Sequence, residues 1–222
     1  ARTEPFELDR LLEGLAHGSR GELHARALEL ALDGAEPGER TDGLIDELAR
    51  VYADELNRPA VALDVRLRAL ARAPTSSAAH HAALTAAARA DRLGDYVALT
   101  SRLLEGAAGT PAAVDLAMHL GRAHEAAGHD ESAAASYRAA EEQLTRGKAL
   151  ALAADEAHRL AEIWRALEGV YGRLGDMTAQ AALLEQQASA AASAFASAAQ
   201  QADPLYRLAS LRLAKAGDPS AG

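Results

Sequence analysis

The residues best equipped for chemistry are histidines and carboxylates in the middle of the chain. His124-Glu125-Ala126-Ala127-Gly128-His129 has the content of a zinc hydrolase motif: two imidazoles to hold a metal and a carboxylate to act as base. That chemistry needs both ring nitrogens to leave one helix face, which a spacing of four supplies. Here the spacing is five, about 500° of helical rotation, and the second histidine falls beside a glycine in a turn. His119, His124 and His129 recur every five residues and share no face, while His80 and His81 are neighbours pointing to different sides. Gly147-Lys148 lacks the upstream glycine and the following Ser or Thr of a phosphate-binding loop. No nucleophile elbow or dinucleotide fingerprint is present, and there is no cysteine. The chain reads as a non-enzyme with no catalytic residue, metal or cofactor.

The elements that carry these residues are helical. Alanine, leucine, arginine and glutamate dominate, and these lose little side-chain entropy in a helix. Aromatic residues make up only 4%, and β-branched residues are sparse, so little favours a sheet. The net charge of −9 argues against nucleic acid as a partner, because such binding needs basic patches. The longest uncharged run, Gln186 to Ala202, is too weakly apolar to span a membrane. The lack of cysteine fits the cytoplasm, the favoured compartment, as well as an oxidising one.

Taken in order, residues 5–16 carry an apolar stripe of Phe6, Leu8, Leu11, Leu12 and Leu15, and a second helix runs to about Asp33. Gly34 to Gly43 reads as a loop. Residues 44–74 form a helix pair with Leu48, Ala49 and Tyr52 on the first helix, Ala62, Ala69 and Leu70 on the second, and one extra residue before Asn57. Pro59 suits a helix start. Residues 76–111 form the next pair, broken at Gly94-Asp95-Tyr96, with a first helix that is mostly alanine. Residues 112–141 break at Gly128-His129-Asp130, 34 residues after Gly94, and the following break, Gly175-Asp176-Met177, comes 47 residues later. The added length extends a helix from about Lys148 to Arg173. An Ala/Ser/Gln helix then runs from Thr178 to Ala202, stopped by Asp203-Pro204, and a further helix covers 205–215.

Leu120-Gly121, His124, Gly128, Ala133, Tyr137 and Ala140, together with Trp164, Leu167 and Tyr171, resemble a tetratricopeptide repeat (TPR), with Glu168 in place of the signature glycine. The resemblance covers roughly residues 44–190. It implies an all-α fold of antiparallel helix pairs stacked as a right-handed α-solenoid, whose first helices line a concave groove that holds a peptide or partner helix. On this reading residues 1–43 are a divergent, cap-like N-terminal helix pair. Residues 44–203 are TPR-like repeats, the last with elongated helices, and 204–222 are a terminal helix and disordered tail. Trp164, Tyr52, Tyr137 and Tyr171 are expected in the core. The Ala/Arg-rich usage points to a GC-rich bacterial genome.

Carried onto this sequence, the groove implies partner contacts at Arg50, His81, Arg92, Met118, His119, Arg122, Arg165 and Arg173, with Asp46, Asp54, Asp91, Asp115, Glu125 and Glu162 completing the lining. Arginine forks suit carboxylates and backbone carbonyls. The same positions also read as an ordinary solvated helix face. The Lys/Asn arrangement of chaperone-binding TPRs, which clamps a C-terminal carboxylate, is absent. The expected function is a non-catalytic protein–protein interaction scaffold. The alternative is a structural or oligomerisation spacer in a larger multi-domain bacterial protein, a possible homo-oligomer with the Ala/Ser helix around Ala190, Ala194 and Ala198 as its contact.

Overall fold

Helix formers this abundant satisfy their backbone groups most readily within their own segment, and the architecture follows. The computed structural model describes residues 21–33, 35, 38–146, 153–193 and 198–216. Among these the protein is all-α, without a strand. The helices are α1 (Gly21–Asp33), α2 (Glu39–Arg50), α3 (Pro59–Arg72), α4 (Ser77–Arg89), α5 (Leu93–Gly106), α6 (Ala112–Ala126), α7 (Asp130–Thr145), α8 (Ala154–Leu174), α9 (Met177–Ser193) and α10 (Ala198–Ala216), with a π-helical turn over Val51–Glu55 after α2. Contacts divide the chain into two units, Ala1–Leu99 and Thr100–Gly222. The expected helix over 5–16, the residues Lys148 and Ala194, and the tail from Gly217 lie outside the described residues.

Apart from α5, each helix packs mainly against its neighbours in sequence. In the first unit α1 meets α2, α2 meets α3 and α3 meets α4. Leu28, Ile45, Leu48, Val51, Ala62 and Val65 form its buried cluster. In the second unit α6 meets α7, and α7, α8, α9 and α10 follow in turn. There Val114, Tyr137, Leu144, Ile163, Leu167, Val170 and Tyr171 make the cluster, and Trp164 packs half-buried at its edge. The Trp164 Nε1–H donates to Glu141 at 2.6 Å.

One turn recurs four times. Asn57, Asp91, Gly128 and Gly175 each hold a positive φ, of 52°, 54°, 72° and 67°. In each case the next helix starts two residues later, at Pro59, Leu93, Asp130 and Met177. The N–H of the residue between reaches back to a carbonyl of the helix's last turn: Arg92 to Ala87, His129 to His124, and Asp176 to Tyr171, at 2.9–3.0 Å. This is the six-to-one bond that closes a helix end. The first turn departs by one residue. Arg58 donates to Tyr52 at 2.7 Å, six positions back, and Leu56 donates to Val51 in the π pattern. The extra residue expected before Asn57 is housed in that π turn.

Three expectations need correction. Gly94-Asp95-Tyr96 is not a break, because Asp91 takes the left-handed position and Gly94 lies inside α5. The 34-residue interval from Gly94 to Gly128 therefore joins unlike positions. Asn57 and Asp91, also 34 apart, are alike in role. Tyr96 is fully buried, and its O–H donates to His80 Nδ1 at 2.8 Å. The His80 Nε2–H donates to the Pro74 carbonyl at 3.0 Å, which assigns the tautomer, since a carbonyl can only accept. The loop after α1 ends sooner than Gly43, with α2 beginning at Glu39. Pro204 sits inside α10 rather than ending a helix. Its missing N–H costs about 3 kcal/mol in a helix interior. Against that stand a buried Leu208 and the Arg207 fork, which bonds Glu168 of α8 at 2.6–2.8 Å and Gln187 of α9 at 3.0 Å.

The tightest approach in the second unit is between α6 and α7. The Tyr137 ring, 1% exposed, lies on the backbone of Gly121, where an added Cβ would come within 2.7 Å of ring atoms Cδ1 and Cζ. Its O–H donates to Glu125, and burial together with that bond raises the phenol pKa well above its ordinary value. Gly121→Ala is expected to cost about 1–3 kcal/mol through overpacking, measured by urea denaturation with circular dichroism. Tyr137→Leu should be less damaging in the Gly121→Ala background than in the wild type. Additive losses would mean that the two residues are not coupled.

Candidate functional site

The sequence places small residues and arginines on the same helix faces in the first unit, and the fold turns them toward one another. Pro59 opens α3 at its first turn, and Ser76 caps α4, its Oγ accepting from the Ala79 N–H at 3.2 Å. His81, Thr85 and Arg89 follow at spacings of four, on one side of α4. With Arg50, the π turn and the start of α3 they enclose a surface cleft of about 330 Å³. Ala49, Ala53, Ala62, Ala82 and Ala86 supply its small apolar side chains, and Arg50, Asp54, Arg66, His81, Thr85 and Arg89 its polar ones.

The arginines are oriented by carboxylates. Arg50 donates from Nε and Nη2 to Glu47 at 3.0 and 2.6 Å, and from Nη2 to Glu55 at 2.9 Å. Arg89 Nη2 donates to Asp54 at 2.8 Å, and Arg66 pairs with Asp46. The Arg50 bond holds the Glu47 carboxyl below its usual value, and the same contact raises Arg50. The hydroxyl of Tyr52 lowers Glu29 in the same way, through a 2.7 Å bond.

Of the eight residues expected at a groove, Arg50 and His81 meet at this cleft. Arg92 instead ties α3 to the start of α5, through Asp64, Asp95 and the Ala60 carbonyl. Met118 and His119, expected to be exposed, are 8% and 9% exposed. Nearly every residue of α6 from Ala113 to Ala123 is buried, leaving Asp115 and Arg122 as its open positions. Met118 lies one turn after Val114 and joins the same core cluster. Arg122 and Arg165 are exposed, and neither makes an ion pair among the described residues. Arg173 braces the end of α8 against Glu125 and Asp130, at 2.7 and 2.9 Å. His124 and His129 have ring centroids 6.3 Å apart, and burial lowers the His124 pKa, with His129 adding to the shift. Arg66, Thr85 and Arg89 were not singled out from the sequence. The four-residue spacing from His81 to Arg89 was the signal available for two of them.

The lowered Glu47 and Glu29 carboxyls make stability depend on pH. Above the ordinary value of 4.5 both states are ionised and the contribution is complete. As pH falls below that value the unfolded chain takes up protons first, and the contribution is lost through the depressed folded value. The thermal midpoint should therefore fall between about pH 5 and 3. Glu47→Gln should start lower at neutral pH and fall less steeply, and an unchanged slope would remove Glu47 from the account.

Among the described residues no helix is long and apolar enough to cross a membrane. No family model and no curated protein matches the chain. Among solved structures it is similar to the crystal structure of BtubC (BKLC) from P. vanneervenii, at 14% identity over 95% of this chain and 93% of that one, with a TM-score of 0.45. A likeness this slight bears on neither fold nor function.

Proposed function

We propose that the protein is a non-catalytic interaction scaffold of TPR type, with antiparallel helix pairs stacked as a right-handed solenoid and a groove that holds a peptide or partner helix. The recurrent left-handed turn, the 34-residue interval from Asn57 to Asp91, and the packing of helices against sequence neighbours support the repeat reading. The observation that carries the function is the cleft bounded by α2, the π turn, α3 and α4. Its alanines leave space beside oriented guanidiniums, which is what a docking segment needs. A photo-crosslinking amino acid at Thr85 should capture a protein partner from the source lysate. Ala86→Trp, which fills the cleft, should abolish that capture without shifting the thermal midpoint. Capture that survives the filled cleft would sink this reading.

One feature favours the alternative of a self-associating spacer. On α10, Leu205, Tyr206 and Leu213 are 53%, 76% and 74% exposed, although Pro204 and Leu208 beside them are buried. Isolated exposed apolar residues are common, but Tyr206 and Leu213, seven residues apart, share one helix face, which supports the spacer reading. Sedimentation over a concentration series should then show a dimer that Leu213→Glu dissociates. A monomer at all concentrations would discard the spacer reading.

A further inference from the structure

We infer that the outer face of α10 pairs with the same face of a second copy, the two helices antiparallel about a two-fold axis; the inference rests on the self-association reading. Down the axis of α10, the buried and the exposed apolar residues lie on opposite sides. Pro204 and Leu208 are buried and Leu211 is half-buried, on the side that the Arg207 fork ties to Glu168 and Gln187. Ala202, Tyr206, Ala209 and Leu213 are all exposed. Their spacing of four, three and four confines them to a strip about 60° wide, with Leu205 along its edge. This is the heptad seam by which one helix packs along another.

The sizes along the strip select the occupant. Small and large alternate, as Ala202, Tyr206, Ala209 and Leu213. In an antiparallel pair the strip meets itself reversed, so Tyr206 faces the partner's Ala209 and Leu213 faces the partner's Ala202. Two-fold reciprocity then fills every layer with one large and one small side chain. A parallel pair would set Tyr206 against its own copy and Ala209 against its own copy, giving crowded and empty layers in turn. The strip therefore completes itself and needs no second sequence. Charge does not oppose the pairing. The strip carries none, and the ionised groups on its flanks are engaged within the chain, Asp203 with Arg207 at 3.0 Å and Arg212 with Glu185. Three turns of helix fall short of the roughly 800 Å² per partner of a stable complex, so the dimer is a weak one that forms at high concentration.

The chain has no cysteine, so single introduced cysteines report the register directly. The antiparallel alignment puts Ala202 beside the partner's Leu213 and about 16 Å along the axis from the partner's Ala202. That is too far for a disulfide, whose Cα atoms lie within about 7 Å of each other. The test follows the intact chain by sedimentation from micromolar to millimolar concentration, then oxidises the Ala202→Cys and Leu213→Cys chains separately and as a mixture. A reversible dimer is expected, lost on Ala209→Glu with the thermal midpoint unmoved. The mixture should give a disulfide between unlike chains, and the Ala202→Cys chain alone should give none. A dimer in which the Ala202→Cys chain crosslinks to itself would overturn the antiparallel pairing and leave self-association standing, as would a dimer indifferent to Ala209→Glu. A monomer throughout would overturn both and leave the strip to a helix of another protein.

Discussion

A helix that stops must satisfy its last carbonyls while the chain turns into the next element, and here that constraint is met the same way four times. Asn57, Asp91, Gly128 and Gly175 each take a left-handed conformation, and the following N–H closes the helix behind. The residue after that enters the next helix almost at once, so the direction of every following helix is set within two positions. Where the turn carries an additional residue, the helix absorbs it as a π turn and the closure survives. That π turn also supplies Ala53 and Asp54 to the cleft, which joins a local backbone adjustment to the candidate site.

This constraint explains what the sequence made legible. Gly128 and Gly175 announced their turns because glycine bears no steric penalty at positive φ. Asn57 and Asp91 serve equally well, since short polar side chains tolerate the left-handed region, but they resemble ordinary surface residues in a sequence rich in charge. Gly94 drew the eye and Asp91 did the work, which displaced one break and placed the buried Tyr96 in a turn. Gly121 and Tyr137 were legible as a pattern, and their reason is steric: the ring occupies the space that a Cβ would need. Met118 and His119 were not legible as buried, because periodicity assigns one apolar face to a helix and α6 is buried on more than one face between Ala113 and Ala123. Pro204 misled for a related reason, since packing of Leu208 and the Arg207 fork outweighs a local breaker.

The many arginine–carboxylate pairs are better understood as devices of orientation than as sources of stability. Exposed pairs are typically worth up to about 1 kcal/mol. Arg173 to Glu125 and Asp130, Arg159 to Asp115, and Arg207 to Glu168 each join two helices that are consecutive or next but one along the chain. Their effect is to fix which helices meet at what offset, within a core that alanine fills only lightly.

Alanine is the other half of the design. A core of Leu28, Leu63, Leu70 and Val51, all at most 2% exposed, holds the first unit. Of the alanines that line the cleft, Ala49 and Ala62 also belong to that unit's buried cluster. Ala53, Ala82 and Ala86 are only half-buried, and each withholds the larger side chain that would have filled the space. Burying a Leu in place of an Ala is worth roughly 2 kcal/mol, so a row of alanines beside a cleft forgoes stability that the fold could have taken. The arginines on the same surface are each held by a carboxylate, Arg50 by Glu47 and Glu55 and Arg89 by Asp54. Small side chains and carboxylate-held arginines thus coincide on this one surface.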